Sequence, residues 1–197
     1  RDNAGIISEV QKTLNSTSVS GSIDKFGGAA RFSRIVSAID SADPAITRNT
    51  TEMKMRKDVE AVIDTPSSYE ICFEQSLEMT RSTPVVESSK FNIASSTFDV
   101  YFKDNTQGLI ILYYTNDEGE EIALDTTFGT VDYETGDVKI GYTTPITITK
   151  TSNVNNILQV RALPLGQDIV AKKSVYLDLD VENSRISAII DTNLLSS

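Results

Sequence analysis

The run Thr-Val-Asp-Tyr-Glu-Thr-Gly-Asp-Val-Lys-Ile at residues 130–140 most constrains what this chain can fold into. Residues that favour strands lie on both sides of a polar segment at 134–137. Within that segment, Gly136 can take the positive φ that a tight reversal needs. The run therefore predicts two antiparallel strands joined by a turn. None of its side chains is a catalytic group that works unaided, so it predicts architecture and not chemistry.

Length and charge limit the classes of partner. With 197 residues, of which 39% are hydrophobic, the chain can bury a core without help from disulfides. Its 18 Lys and Arg and 28 Asp and Glu give a net charge of -10, which works against attraction to nucleic acid or to an anionic membrane. The longest apolar run, at 109–114, has the length of a strand, well short of the ~20 residues that span a bilayer. We therefore expect neither nucleic acid nor membrane among the partners.

Residue chemistry argues against catalysis. The chain has no histidine, and its one cysteine is Cys72. Without histidine, Ser-His-Asp and Cys-His arrangements and most zinc sites are excluded. Cys72 lies in the sequence between Glu70 and Glu74, and nearby acids are expected to raise the pKa of its thiol and to make it unreactive. We expect no catalytic residue, no metal site and no cofactor.

Two amphipathic helices are predicted near the N-terminus. The first is indicated by apolar residues that share one helical face, namely Ile6, Ile7, Val10 and Leu14. The second covers residues 29–42, where apolar side chains recur at i, i+3, i+4 and i+7. Asp43-Pro44 ends it, because a residue before proline is pushed out of the α region.

After Pro44 the apolar period changes from 3.6 to 2, which is typical of strands. No helical pattern intervenes, so antiparallel sheets are favoured over βαβ units. The predicted fold class is α+β, with a short N-terminal helical part at 1–64 followed by a mostly antiparallel β-sandwich-like domain at 65–197. The predicted strands are 46–63, 69–73, 97–102, 109–115, 121–124, the pair around Gly136, 146–149, 158–163, 175–181 and 185–190.

Two acidic clusters are candidate sites. The alternate carboxylates at 178–182 resemble the start of a calcium loop, but Asn183 stands where an EF-hand has glycine. At strand spacing these acids would line the solvent face and leave the intervening apolar residues facing the core. The charged run at 117–121 predicts a solvated hairpin tip that discourages aggregation. A carboxylate hydrolase using Asp178 or Asp180 is the least favoured interpretation.

Two segments resemble the baseplate wedge proteins of contractile-tailed bacteriophages, a branch of the baseplate J-like group. Residues 32–46, Phe-Ser-Arg-Ile-Val-Ser-Ala-Ile-Asp-Ser-Ala-Asp-Pro-Ala-Ile, with Asn-Thr-Thr-Glu-Met-Lys-Met at 49–55, resemble that family's helix leading into a strand. Residues 128–140 are similar to a hairpin that is common in these phage proteins. With their order and spacing, the two segments extend the resemblance over residues 32–190.

This resemblance implies a structural, non-enzymatic virion component, assembled in the host cytoplasm and located in the tail baseplate. Such wedge proteins self-associate as homodimers or larger rings. With other wedge proteins they form the ring around the hub that rearranges on tail contraction. No catalytic residue of the family is carried over. The chain is expected to be the C-terminal portion of a longer subunit.

We further predict that the second helix and the strand after it contribute to subunit contacts. Methionine side chains adapt to many partners, so Met53 and Met55 would serve as contact residues if they are exposed. The residues of this predicted interface are Phe32, Ile35, Ile39, Met53 and Met55. The alternative, from a different class, is a carbohydrate- or receptor-binding β-sandwich of a tail fibre or adhesin.

Overall fold

The fold is given by a computed structural model that describes residues 2–16, 23, 28–171 and 177–189. Contacts divide the chain into two compact units, one formed by Arg1–Met53 with Gln167–Ser197 and the other by Lys54–Gly166. The first unit is therefore built from both ends of the chain. The predicted division into two domains after residue 64 stays a prediction, and it falls inside the second unit.

The first predicted helix is confirmed as α1, which spans Asn3–Leu14. It begins where the carboxylate of Asp2 accepts a hydrogen bond from Gly5 N at 3.0 Å, the usual way of satisfying a free N–H in the first turn. Val10 and Leu14 are buried on its apolar side. The apolar spacing thus predicted both the helix and the face that it buries.

The second predicted helix is confirmed as α2, which spans Phe32–Asp40 and begins later than predicted. Ala29–Ala30 form a short strand, β1, which pairs antiparallel with β13 at Ile169–Val170. This pairing brings Asp168 to the start of α2, where its carboxylate accepts a hydrogen bond from the N–H of the first helical residue at 2.8 Å. Asp168 therefore caps α2 from a distant part of the chain.

We expect Asp168 to make the stability of the first unit depend on pH. The Arg31 guanidinium, which donates to this carboxylate at 2.7 Å, and then the N–H of Phe32 hold the pKa of Asp168 below its usual value of 3.8. A lowered pKa contributes stability that is present above about pH 4 and is lost as the pH falls through the folded-state pKa. The thermal midpoint of the wild type should therefore fall more than that of Asp168→Asn between about pH 5 and about pH 3.

An equal fall in the two proteins would show that the Asp168 cap adds no pH-dependent stability. The matched control is Asp178→Asn, because Asp178 is an exposed acid that belongs to the same unit. This control should retain the pH dependence of the wild type.

The core of the first unit collects apolar side chains from both helices and from the C-terminal segment. Its buried members are Val10, Leu14, Ile23, Ala30, Ile35, Met53 and Val181. Leu177 and Leu179 are partly buried against this cluster, so the predicted core-facing side of the segment at 177–181 is confirmed. Residues close to opposite ends of the sequence thus share one hydrophobic core.

The five residues of the predicted subunit interface contribute to the interior of the chain itself. Ile35, Met53 and Met55 are only 4%, 8% and 9% exposed. Phe32 and Ile39 are partly buried against the first core. The condition that Met53 and Met55 be exposed is therefore not met. A role of this region in subunit contacts stays a prediction.

The second unit consists of strands whose pairings are all antiparallel within the residues described. The fold class is therefore α+β, as predicted. The strands are β2 (Met55–Glu60), β3 (Pro66–Ser67), β4 (Tyr69–Cys72), β5 (Val86–Ser88), β6 (Phe91–Ile93), β7 (Val100–Asp104), β8 (Leu109–Thr115), β9 (Glu121–Asp132), β10 (Asp137–Ile140), β11 (Ile146–Thr151) and β12 (Ile157–Ala162).

The main sheet has the strand order β2-β12-β5-β7-β8-β9-β10-β4, and β7 also pairs with β6, which leads to β11 and β3. Strand β7 alternates buried with half-buried residues, so one of its faces is turned to the core. There the buried rings of Phe91 and Phe102 meet edge to face, with centroids 6.2 Å apart. The ring of Phe128 lies 6.3 Å from that of Phe102. This aromatic contact joins β6, β7 and β9.

The prediction of one strand over 46–63 is wrong for residues 46–54 and 61–63. In the first of these segments, polar side chains bond to groups outside any strand ladder, and one of them accepts from a backbone N–H that a ladder would use. The amide of Asn49 donates to Asp40 Oδ1 at 2.6 Å, and Gln167 Oε1 accepts from Met53 N at 3.2 Å. Such side-chain bonds offer the backbone an alternative to pairing. Only residues 55–60 of the predicted strand form one, β2.

Candidate interaction surface

The hairpin predicted from the 130–140 run forms, and its polar residues have structural partners. Asp132 Oδ1 accepts hydrogen bonds from the N–H groups of Glu134 at 2.9 Å and Thr135 at 3.3 Å, which hold the turn between β9 and β10. Gly136 has a φ of 76°, and its carbonyl accepts from Phe73 N at 2.9 Å. The motif therefore fixes the turn and docks it on the chain after β4.

Asp104, at the end of β7, is 1% exposed, and its carboxylate accepts four hydrogen bonds. Oδ1 accepts from Val85 N and Val86 N, each at 2.7 Å. Oδ2 accepts from Thr106 N at 3.0 Å and from the Tyr133 hydroxyl at 2.8 Å. Burial and then this bond raise the pKa of Tyr133, so its hydroxyl stays a donor. Both oxygens are used within the protein, which gives this buried acid a structural role.

Cys72 is exposed on β4 beside Glu70 and Asp137, and the possible ligand atoms of the three residues lie within 4.8 Å of one another. A hydrogen bond with Asp137 is the main cause that raises the pKa of the thiol, with burial and the nearby acids adding to it. The predicted direction is confirmed. A protonated thiol is a poor metal ligand, and the Lys139 ammonium already binds Glu70 at 3.0 Å. The expected absence of a metal site stays a prediction.

The strand predicted at 175–181 does not form over its described residues, 177–181. The strand predicted at 185–190 does not form over residues 185–189. Both carboxylate oxygens of Asp180 accept from the Asn183 amide, at 2.9 and 3.0 Å, and Ser184 Oγ donates to Asp180 O at 2.6 Å. These local bonds close a turn in place of a strand. Residues 175, 176 and 190 of the predictions lie outside the described residues.

The outer part of the β8–β9 hairpin, residues 113–125, lies beyond the pairing of β9 with β10, while β8 still pairs with β7 at Tyr113 and Tyr114; we call it the distal hairpin. All side chains of residues 121–127 are exposed. Among the described residues, β9 pairs over this length with β8 alone, because its pairing with β10 covers only residues 129–132. In the described part of the chain, the side chains of residues 121–127 are accessible to other molecules.

One face of the distal hairpin carries a row of apolar side chains. The ring of Phe98 stacks on that of Tyr114, with centroids 4.1 Å apart and planes within 8° of parallel. Tyr114 lies directly opposite Ile122 in the neighbouring strand. Phe98 and Ile122 are 49% and 37% exposed, and Leu124, which the shifted register leaves without a paired residue in β8, is 43% exposed. We call Phe98, Tyr114, Ile122 and Leu124 the apolar row.

The opposite face carries a second aromatic pair, because successive residues of a strand point to opposite sides. Tyr101 and Tyr113 stack with centroids 5.7 Å apart. The ammonium of Lys103 lies 4.7 Å from the centroid of the Tyr113 ring and forms an ion pair with Glu121. Burial, followed by the nearby carboxylate of Glu121, raises the pKa of Tyr113 to about 12. This face is thus filled by contacts within the chain.

The sequence around the distal hairpin is strongly acidic. Between Lys103 and Lys139 the sequence contains no Lys or Arg. The acids in this interval are Asp104, Asp117, Glu118, Glu120, Glu121, Asp125, Asp132, Glu134 and Asp137. The field around the distal hairpin therefore favours positive charge in anything that approaches it.

Sequence interpretation foresaw only part of this surface. It identified 117–121 as a charged tip between two strands, and the structure places that tip in solvent. The apolar row was missed, because its members come from two strands and a loop and meet only after the strands pair. One sequence signal could have indicated this surface, because residues 104–138, which include the hairpin, contain no Lys or Arg.

No helix in the part of the chain that the structure describes is long and apolar enough to cross a membrane. No protein-family model matches this sequence, and no curated protein matches it.

Proposed function

We propose that this chain is a structural subunit of a phage tail baseplate wedge, which presents surfaces to copies of itself and to other wedge proteins and does not catalyse a reaction. The observation that carries this proposal is the distal hairpin with its apolar row. Exposed apolar patches rimmed by polar residues are typical of protein contact sites, and aromatic residues are enriched in such contacts. A ribbon of this kind is suited to assembly.

Two further observations support the proposal. The segments that resemble wedge proteins at 32–46 and 128–140 contain α2 and the β9–β10 hairpin, the kinds of element that the resemblance implies. The acids best placed for chemistry are engaged in the fold, since Asp104 accepts four hydrogen bonds and Asp180 closes a turn. Their carboxylates stabilise structure, which favours a structural role.

Sedimentation velocity over a wide concentration series tests the proposed self-association. We expect a dimer or a larger closed species, because ring subunits need self-contacts that close on themselves. A species of fixed mass across the series would separate closed assembly from aggregation, whose mass grows continuously. A strict monomer at every concentration would contradict self-association by this chain.

The second candidate function is carbohydrate or receptor binding, and one exposed residue favours it. Tyr142 is 57% exposed, with the Lys139 ammonium 5.8 Å from its ring centroid and its hydroxyl donating to Glu70 at 3.4 Å. An exposed ring flanked by polar groups can stack on a sugar while its neighbours bond the hydroxyls. Reproducible binding to defined sugars on a glycan array, lost in Tyr142→Ala, would favour this function over the wedge proposal.

A further inference from the structure

We infer that the distal hairpin is the docking surface for a different protein whose contact surface is both basic and apolar, and not for a second copy of itself. This inference rests on the proposed role as a wedge subunit and specifies the partner of one surface. It follows from three features of the distal hairpin: its negative charge, its apolar row and the bulged edge of β9.

The negative charge of the distal hairpin determines that its partner carries positive charge. Glu121 is neutralised by Lys103, whereas Glu120 and Asp125 have neutral hydrogen-bond partners in Asn116 and Thr127. Asp117 and Glu118 add two exposed carboxylates at the tip. A basic surface would gain attraction and faster association here. A second distal hairpin would bring the same acids together and would be repelled.

The apolar row supplies the contact area. Phe98 and Tyr114 are already stacked, so a partner would meet a preorganised aromatic platform and would lose little side-chain entropy on binding. Ile122 lies directly across from Tyr114, and Leu124 lies further from the tip along β9; both are exposed and add apolar area to this platform. Lys90 and Asp99 form an ion pair at 2.8 Å beside Phe98. This ion pair balances the charge near Phe98, so the unbalanced negative charge lies at the tip of the hairpin.

The free edge of β9 is poorly suited to pairing with another strand, which directs binding to the face. The register between β8 and β9 shifts twice between Ile110 and Tyr113, so the outer part of β9 is bulged. Asp125 Oδ1 also accepts a hydrogen bond from Thr127 N at 2.7 Å, so this backbone N–H is already used within the chain. Bulges and charges of this kind block edge-to-edge pairing.

Two short synthetic peptides test the inference, one alternating Lys with Val and Tyr and the other carrying Glu in place of every Lys. Each is titrated into the isotope-labelled full chain while backbone amide chemical shifts are recorded. We expect the Lys peptide to shift the amides of residues 113–125 and to bind about tenfold more tightly than the Glu peptide. Its affinity should fall steeply with added salt. Equal binding of both peptides, or shifts centred elsewhere, would overturn the inference.

Paired variants separate the hairpin from general electrostatics. Glu118→Gln with Glu120→Gln should weaken binding of the Lys peptide about fivefold, and Ile122→Ser with Leu124→Ser by a similar factor. The control, Glu60→Gln with Glu182→Gln, removes the same charge from exposed positions outside the hairpin. If the control weakens binding as much as the hairpin variants do, only net charge is being sensed and the inference is wrong.

Sedimentation of the same variants distinguishes this inference from the proposed function. Loss of self-association in the Ile122→Ser with Leu124→Ser variant would show that the hairpin binds a second copy and would contradict the inference. A monomeric wild type that binds the Lys peptide through residues 113–125 would contradict self-association and support the inference. If the chain self-associates but its hairpin does not bind the Lys peptide, self-association is supported and the inference is contradicted.

Discussion

Asp104→Asn is expected to lower the free energy of unfolding by about 2 to 4 kcal/mol, because the buried carboxylate accepts two hydrogen bonds on each oxygen. An amide has one oxygen, so its NH2 group must face either the N–H groups of Val85 and Val86 or that of Thr106. Either orientation leaves a buried donor without an acceptor and removes the charge that strengthens the remaining bonds. Urea unfolding followed by circular dichroism measures the loss.

Tyr133→Phe provides the matched comparison, because it removes one donor and leaves the acceptor with three. Its cost should be about 1 to 2 kcal/mol, smaller than that of Asp104→Asn. In the double variant the two effects should fall short of adding, since each change removes the same bond. If Asp104→Asn unfolds at the urea concentration of the wild type, the four bonds do not contribute to stability and the structural role of this acid is refuted.

The strands that could be predicted from sequence are those in which one local pattern decides the structure. β8 spans Leu109–Thr115, as predicted, because it is a short continuous apolar run that polar turns bound. The failures at 46–54 and at 177–181 occur where short polar side chains bond nearby groups, so that strand-favouring residues form irregular structure. The start of α2 also depended on distant residues, because the pairing of β1 with β13 and the cap from Asp168 arise only in the folded chain.

The candidate surface was less predictable than the fold, since exposure depends on what a strand packs against. Met53 and Met55 have side chains suited to binding, yet both are buried. Ile122 and Leu124 carry an alternating pattern like that of core strands, but β9 extends beyond the pairing with β10 and leaves them in solvent. Alternation in a sequence therefore shows which residues share a face, and only tertiary structure shows which faces are covered.

Gly136→Ala is expected to destabilise the protein by about 2 to 4 kcal/mol, because two costs combine at this turn. Its φ of 76° lies in the left-handed region, which costs an L-residue about 1 to 2 kcal/mol. An added Cβ would also lie 2.3 Å from Gln75 O and 3.2 Å from Phe73 Cβ. The first of these contacts is with a backbone oxygen, so the turn must move away from the chain after β4. The midpoint of thermal or urea unfolding reports the loss.

Gly119→Ala is the control that separates the two costs. Gly119 has a similar φ of 83°, but a Cβ added there would meet nothing within 4 Å. It should therefore lose about 1 kcal/mol or less, since the strain of the left-handed backbone is partly offset by the lower entropy of the unfolded chain. A larger loss for Gly136→Ala assigns the difference to the close approach of Gln75. Equal losses would mean that the turn yields without cost, and that the β9–β10 hairpin does not need its glycine to dock.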